Sequence, residues 1–287
     1  MNRGAVTISI DLELAWGHRH NITEKKLALV ETLDRPIVSR LVEIFDRYDV
    51  PVTWAVIGAL LDPRSARGRP GREKSWYAPD VIDTIRGARV RHDIGSHGGR
   101  HLYYDRIPES EADDDLAFAR SIHEQQGLDF ESFVFADNRV AWTGLLKNHG
   151  VRVFRGQDRA WHQRIRNLNR WAGRIAHLAD QALPIAPEPV QPVEEDGVIN
   201  LPGSMLFAGK NGLRRIAAPF ITGAKLARSL SAARRQPGVF HLWFHPSNFY
   251  YRQETQFAVF ERFVAQVAEE SRSGLIGVQP MASFATA

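Results

Sequence analysis

Cysteine is absent from all 287 residues. That excludes disulfide stapling, a thiolate metal site and a cysteine nucleophile, and is neutral about compartment. Long apolar runs are missing as well: none approaches the roughly 18 residues that a membrane-spanning helix needs. The N-terminus lacks a charged lead, an apolar stretch and a small-residue cleavage site in that order, so the expected location is cytoplasmic. No internal repeat is found, and the composition is neither collagen-like, coiled-coil nor disordered. Acidic residues are missing from one long stretch. Residues 206–236 hold seven Lys or Arg and no acid, and residues 155–182 hold six arginines against two aspartates. The formal net charge is +4, so with +11 in those stretches the remainder carries −7. A positive field this local argues against a nucleic-acid-coating surface and for a patch that faces something anionic. With no zinc-finger spacing either, no nucleic-acid partner is expected.

What is present has the rhythm of an α/β protein. Residues 6–10 read as a buried strand that ends at Asp11. Residues 26–48 carry apolar side chains at helix period, with Pro36 as a boundary or kink. Strand patterns follow at 52–56, 130–135, 151–154, 198–201, 239–244 and 276–278. Helix patterns lie at 79–87, 110–126, 141–149, 220–233 and 255–269. Residues 62–76, rich in Gly, Pro and Arg, read as a surface loop. Glu111, Asp113, Asp114 and Asp115 suit the positive end of the helix dipole at 110–126. Such alternation requires a mostly parallel sheet or a barrel with helices outside. We expect a single catalytic domain over 1–287 with one basic, proline-rich helical insertion at about 157–197, in which Ile165, Leu168, Trp171, Ile175 and Leu178 form an apolar stripe.

Three polar clusters stand where apolar strands end: Asp11 with Glu13, His97 with His101, and His245. In a parallel barrel, the C-terminal strand ends open on one face, so these distant residues can converge there. Asp11 and Glu13 are two apart and point the same way in a continuing strand. His97 and His101 are four apart and share a face on a helical turn. Two imidazoles and one carboxylate make a three-ligand catalytic zinc set with one position open for water. Plainer readings exist for each: a surface histidine pair in a glycine-rich loop, Asp11 as a helix N-cap, and His245 as a core histidine beside Trp243 and Phe244.

The motifs resemble those of the polysaccharide deacetylase family, also called the NodB-homology or carbohydrate esterase 4 family. The resemblance rests on Ile8-Ser9-Ile10-Asp11-Leu12-Glu13, on His92-Asp93-Ile94-Gly95-Ser96-His97-Gly98-Gly99-Arg100-His101, on Asn200-Leu201-Pro202-Gly203 and on Trp243-Phe244-His245-Pro246. It spans about 11–246 and is closest to the branch in which one residue separates the two acids. It implies a distorted (β/α) barrel of the NodB type. Asp11 would be the general base, and Glu13, His97 and His101 the ligands of a divalent metal, zinc by donor type. His245 would be the general acid. The family's arginine-proline motif, whose arginine orients the base, is missing near residue 135. Arg139 or Arg155 stands in for it, or Asn138 holds Asp11 by a hydrogen bond instead. Asp93 or another carboxylate orients a ligand histidine, and Trp16, Tyr103 and Trp243 line the sugar site.

The function implied is hydrolysis of an N-acetyl group on an amino sugar of a bacterial surface polysaccharide or its lipid-linked precursor. The metal would acidify water and polarise the acyl carbonyl, while His245 protonates the leaving amine. Alternatives are an O-acyl esterase at the same site and a catalytically degenerate saccharide-binding protein. The expected partners are the N-acetylated saccharide and, for the basic insertion, an anionic inner-membrane surface or lipid-phosphate carrier. The plainer account of that insertion is a solvated basic face on a packed helix.

Overall fold

The computed structural model describes residues 3–158, 185–210 and 219–286. Ten strands form one sheet among these residues: β1 (Gly4–Leu12), β2 (Thr53–Val56), β3 (Asp93–Ser96), β4 (Ser132–Val134), β5 (Val153–Arg155), β6 (Val193–Glu195), β7 (Val198–Asn200), β8 (Met205–Leu206), β9 (Gly238–Phe244) and β10 (Gly277–Val278). Their order is β6-β7-β5-β4-β3-β2-β1-β9-β8, and β10 pairs with the start of β1. Every pairing is parallel except that of β6 with β7.

The sheet curls. Four strand spacings separate β1 from β5, about 19 Å in a flat sheet. Yet Arg155 at the end of β5 bonds Asp11 of β1 at 2.6 and 2.7 Å. Only a sheet rolled into a half-barrel brings the two within reach of one side chain.

Period two in β1 explains why it sits at the centre. Val6, Ile8, Ile10 and Leu12 join the main hydrophobic core, while Thr7, Ser9 and Asp11 are buried on the opposite face. β9 repeats the scheme, with Phe240, Leu242 and Phe244 in that core and His241 and Trp243 on the other face. The helices α1 (Glu24–Tyr48), α2 (Pro79–Arg86), α3 (Glu109–Gln125), α4 (Thr143–Asn148), α5 (Pro219–Arg235) and α6 (Gln253–Arg272) follow the strands. α1 and α6 cover the outside of β1 through Val30, Ile37, Leu41, Phe260 and Val264.

Three sequence expectations change here. α1 runs unbroken through Pro36, which is exposed. Proline lacks the N–H that would bond one turn back, and burial of Ile37, Val38 and Leu41 keeps the helix continuous there. Asp115 lies beyond the first turn of α3 and is fully buried, so it does not serve the positive end of that helix. Residues 97–101 form a loop rather than a helical turn, with Gly98 at φ +77° and His101 at φ +57°. A residue added to a right-handed turn would need negative φ at both positions, so the two histidines meet through the loop's path. The predicted stripe at 163–182 lies outside the described residues. The basic helix expected at 220–233 is α5. Residues 185–197, part of the expected insertion, contribute β6 and a bridge from Val190 to Val239.

Candidate active site

β1, β3, β5 and β9 deliver their last residues to one end of the half-barrel. Glu13 is the residue just beyond β1 and caps a 3-10 turn over Leu14–His18. Its Oε1 lies 3.0 Å from His97 Nε2 and 2.9 Å from His101 Nε2. Gly17, one turn on, makes room for it: a Cβ there would sit 1.9 Å from Glu13 Oε2. The histidine loop is pinned from below. Asp115 accepts from the N–H groups of Gly99 and Arg100 at 2.8 and 2.9 Å and from the Tyr104 hydroxyl at 3.2 Å. The carbonyls of Gly98 and Gly99 accept from Gly58 and Ala59 N–H.

Glu13, His97 and His101 fit a divalent cation. His97 Nδ1 is 2.8 Å from the Val134 carbonyl, a contact that requires a proton on Nδ1. With that proton on Nδ1, Nε2 is the nitrogen that faces the Glu13 carboxylate and can offer a lone pair to a metal. Lone pair facing carboxylate oxygen is repulsive, and a cation between them reverses the sign. The ligand atoms of the three residues all lie within 4.8 Å of one another. The partner that orients His97 is thus a backbone carbonyl and not Asp93. Asp93 accepts instead from Thr53, Ser132 and the Ala282 N–H, tying β2, β3 and β4 to the C-terminal segment.

Asp11 is buried beside this set. Arg155 grips it with two parallel bonds, Nη1 to Oδ1 and Nη2 to Oδ2. Burial pushes the Asp11 carboxyl up, but Arg155, His97 and His245 together hold it below the usual carboxylate range. His245 Nε2 lies 3.6 Å from Asp11 Oδ2 and 3.4 Å from Glu13 Oε1. Burial opposes charge on His245, yet Glu13 and Asp11 outweigh it and raise its pKa to about 9. The side chain keeps a quarter of its surface open, so the reading as an enclosed core histidine does not hold.

The arginine has its own support. Asn138 Oδ1 accepts from Arg155 Nη2 at 3.0 Å, so Asn138 orients the arginine and does not touch Asp11. Arg139 turns outward to Asp105 and Asp137. Ser9 Oγ accepts from Arg155 Nη1 at 3.0 Å and stands 2.8 Å from His241 Nε2, and His241 Nδ1 is 3.2 Å from the Pro202 carbonyl. Burial and Arg155 push the His241 pKa down to about 3, so the ring is neutral. One proton on Nδ1 donates to Pro202, and the Ser9 hydroxyl donates to Nε2. Every member of the chain is then satisfied. The Arg155 guanidinium also stacks 4.4 Å over the Trp243 ring, whose N–H donates to Asp158 at 3.0 Å. Gly203 closes over this pair, since a Cβ there would lie 2.0 Å from Asp158 Oδ1.

The structure therefore brings together Asp11, Glu13, His97, His101, His245 and Arg155, with Asn138 and Trp243 behind the arginine. It does not bring Trp16 to the cleft. Trp16 is in the core, edge-on to Trp76 at 5.5 Å with its N–H on the Trp76 carbonyl. Ser9, Gly17, His241 and Asp158 were missed from sequence. The signal for two of them was polar residues at alternate positions of apolar strands: 7, 9, 11 in β1 and 241, 243 in β9. A separate cavity of about 270 Å³, lined by Ile85, His92, Ile94 and Leu128 among others, shares no residue with this cleft.

No protein-family model matches the chain, and no curated protein matches it in sequence. Solved structures do match it in shape. A Mycobacterium smegmatis protein described as a polysaccharide deacetylase superposes with a TM-score of 0.69 at 18% identity, covering 98% of this chain and 88% of that one. The PuuE allantoinase gives 0.65 at 15% identity, covering 99% and 90%. A Pseudomonas aeruginosa PAO1 protein, also described as a polysaccharide deacetylase, gives 0.63 at 15% identity, covering 99% and 90%. At these identities the likeness establishes the fold: the distorted half-barrel of the NodB type.

Proposed function

We propose that this chain is a member of the polysaccharide deacetylase family, and a metal-dependent hydrolase that removes the N-acetyl group from an amino sugar of a bacterial surface polysaccharide or its lipid-linked precursor. One observation carries the reading: Asp11, gripped by both terminal nitrogens of Arg155, and His245 both border the Glu13–His97–His101 set. Hydrolysis of an amide needs a proton acceptor for water and a proton donor for the departing nitrogen, and this pair offers both in one cleft.

Glu13, His97 and His101 would hold a divalent ion, zinc by the donor set. Such an ion, when bound, supplies acidified water and a polarised acyl carbonyl. Asp11 accepts the proton of the attacking water. The bidentate grip of Arg155 leaves it no freedom to rotate away. His245 gives its Nε2 proton to the amine as the C–N bond breaks, so acetate and a free amino sugar leave. Two of the matching structures are described as polysaccharide deacetylases, which supports an acylated saccharide as substrate. The third is an allantoinase, so the fold by itself does not select a sugar.

The test is metal content by mass spectrometry together with acetate release from N-acetylglucosamine oligosaccharides and from O-acetylated xylan fragments. We expect one divalent ion per chain and acetate from the N-acetylated set. Release from the O-acetylated set alone would make this an esterase. No release from either by metal-loaded protein that still binds the oligosaccharides would make it a binding protein.

A further inference from the structure

The lip of the cleft beside His101 carries more positive charge than nearby carboxylates balance. Tyr103 follows His101 with ring centroids 6.0 Å apart. Around the Tyr103 ring stand Arg139 at 5.1 Å, His20 at 5.4 Å and Arg106 at 5.6 Å. Arg19 donates from Nε to His20 Nε2 at 3.0 Å and from Nη1 to the Arg100 carbonyl, which ties it to the histidine loop. Arg69 stands behind this lip, 4.5 Å over the Trp16 ring, and its charge reaches Arg19. Among the described residues, only Arg139 of these arginines has acid partners, Asp105 and Asp137. Among the described residues, no carboxylate lies within ion-pair distance of Arg19, Arg69 or Arg106. Asp115, whose charge reaches Arg19, is spent inward on the N–H groups of Gly99 and Arg100.

Like charges held together by ring faces and carbonyls form a preorganised anion site, because the cost of gathering them is already met in the fold. Burial and the nearby Arg69 both lower the Arg19 pKa, which is what such crowding does. We propose that Arg19, His20, Tyr103 and Arg106 form a subsite for an anionic group, phosphate or carboxylate, carried by the molecule whose acyl group enters the cleft. Nη2 of Arg19, the guanidinium fork of Arg106 and the Tyr103 hydroxyl would donate to its oxygens, and Arg69 adds field. The identity of that molecule rests on the hydrolase reading; the anion site does not.

Calorimetric binding to the metal-loaded protein tests this, with N-acetylglucosamine, N-acetylglucosamine 1-phosphate and N-acetylglucosaminuronic acid as probes. The parent should bind one of the anionic sugars about tenfold or more tightly than the neutral one, since hydrogen bonds to charged groups are worth about that factor. Whichever anion is preferred identifies phosphate or carboxylate as the source. The preference should vanish in Arg19→Gln/Arg106→Gln and survive in Arg234→Gln/Arg235→Gln, which removes equal charge from exposed positions on α5. Arg106 is exposed, so Arg106→Gln alone gives a foldable partial variant. Equal binding of neutral and anionic sugars overturns the proposal. So does a preference that outlives the double variant, as direct binding to the metal centre would give, or one lost equally in the α5 variant. Because binding is read without turnover, acetate release with no anion preference would sink the subsite alone, and anion preference with no acetate release would sink the hydrolase alone.

Discussion

β1 and β9 run in register from Gly4 beside Gly238 to Ile10 beside Phe244, and their two faces are built from opposite chemistry. The outer face is continuous hydrocarbon, Val6, Ile8 and Ile10 against Phe240, Leu242 and Phe244. The inner face is a chain of hydrogen bonds from Pro202 through His241, Ser9 and Arg155 to Asp11. Both faces are equally buried. They differ in what a substitution does. Apolar packing is non-directional and relaxes, whereas a buried polar chain is satisfied only as a whole.

Two buried carboxylates sharpen the contrast. Asp34 of α1 accepts from the Tyr250 hydroxyl at 2.6 Å, with no ion pair among the described residues, and burial pushes its pKa up to about 7. Asp11 is buried as deeply and shifts the other way because Arg155 is bonded to it. The cation decides the sign, not the depth.

The largest expected effect is on the inner face. Asp11→Asn should keep fold and metal content while turnover falls by about 10² to 10⁴, the usual contribution of a positioned proton acceptor. Metal stoichiometry and acetate release on one preparation check it, and loss of metal would mean that Asp11 is a ligand. Glu13→Ala should show the reverse pattern: metal is lost first, and excess metal restores part of the activity.

Arg155→Met comes next. It strands a buried carboxylate and should cost about 3–5 kcal/mol by denaturant unfolding, in addition to activity. A cost below about 1 kcal/mol would show that water reaches Asp11. Gly17→Ala drives a methyl group into Glu13 and should weaken metal affinity by about 10- to 100-fold, with little change in melting temperature. An unchanged affinity would mean that Glu13 swings clear at no expense.

The outer face gives smaller effects. Asp34 has a folded pKa raised above its unfolded value, so its protonated form stabilises the fold fully below about pH 4 and that contribution is lost as pH rises through about 7. Asp34→Asn should therefore match the parent near pH 4 and exceed it in stability at pH 8, measured by urea midpoints. A parent that is the more stable one at pH 8 would show that Asp34 is ionised and paired in the fold. Smallest of all, Ile8→Val should cost about 0.5–1.5 kcal/mol and leave the acetate rate unchanged, although Ser9 is its neighbour in sequence.

Much of the site was legible in the sequence for one reason. Apolar strand runs stop where chemistry begins: Asp11 is the last residue but one of β1, Glu13 lies just beyond it, and His97 and His245 follow β3 and β9 directly. The elements that misread did so where local pattern meets long-range contact. Pro36 looked like a boundary or kink, and the boundary is absent because propensity ignores the core on which α1 lies. Asp115 looked like one of four acids serving a helix dipole because nothing local says which one turns inward to hold the histidine loop.

The sequence by itself determined the alternation of strand and helix, the parallel sheet it demands and the short roster of groups able to bind a metal or move a proton, because period, turn residues and side-chain chemistry are local properties. It left Arg139, Arg155 and Asn138 as equals for the partner of Asp11. Only the tertiary structure chose Arg155, which stands 144 residues from Asp11 in the chain. The choice follows from strand order and curl: rolling the sheet carries the end of β5 across the barrel to the end of β1, leaves Arg139 on the outside with Asp105, and sets Asn138 against the arginine. Curl is a sum over every strand pair and every helix packed behind them, so no window of sequence contains it.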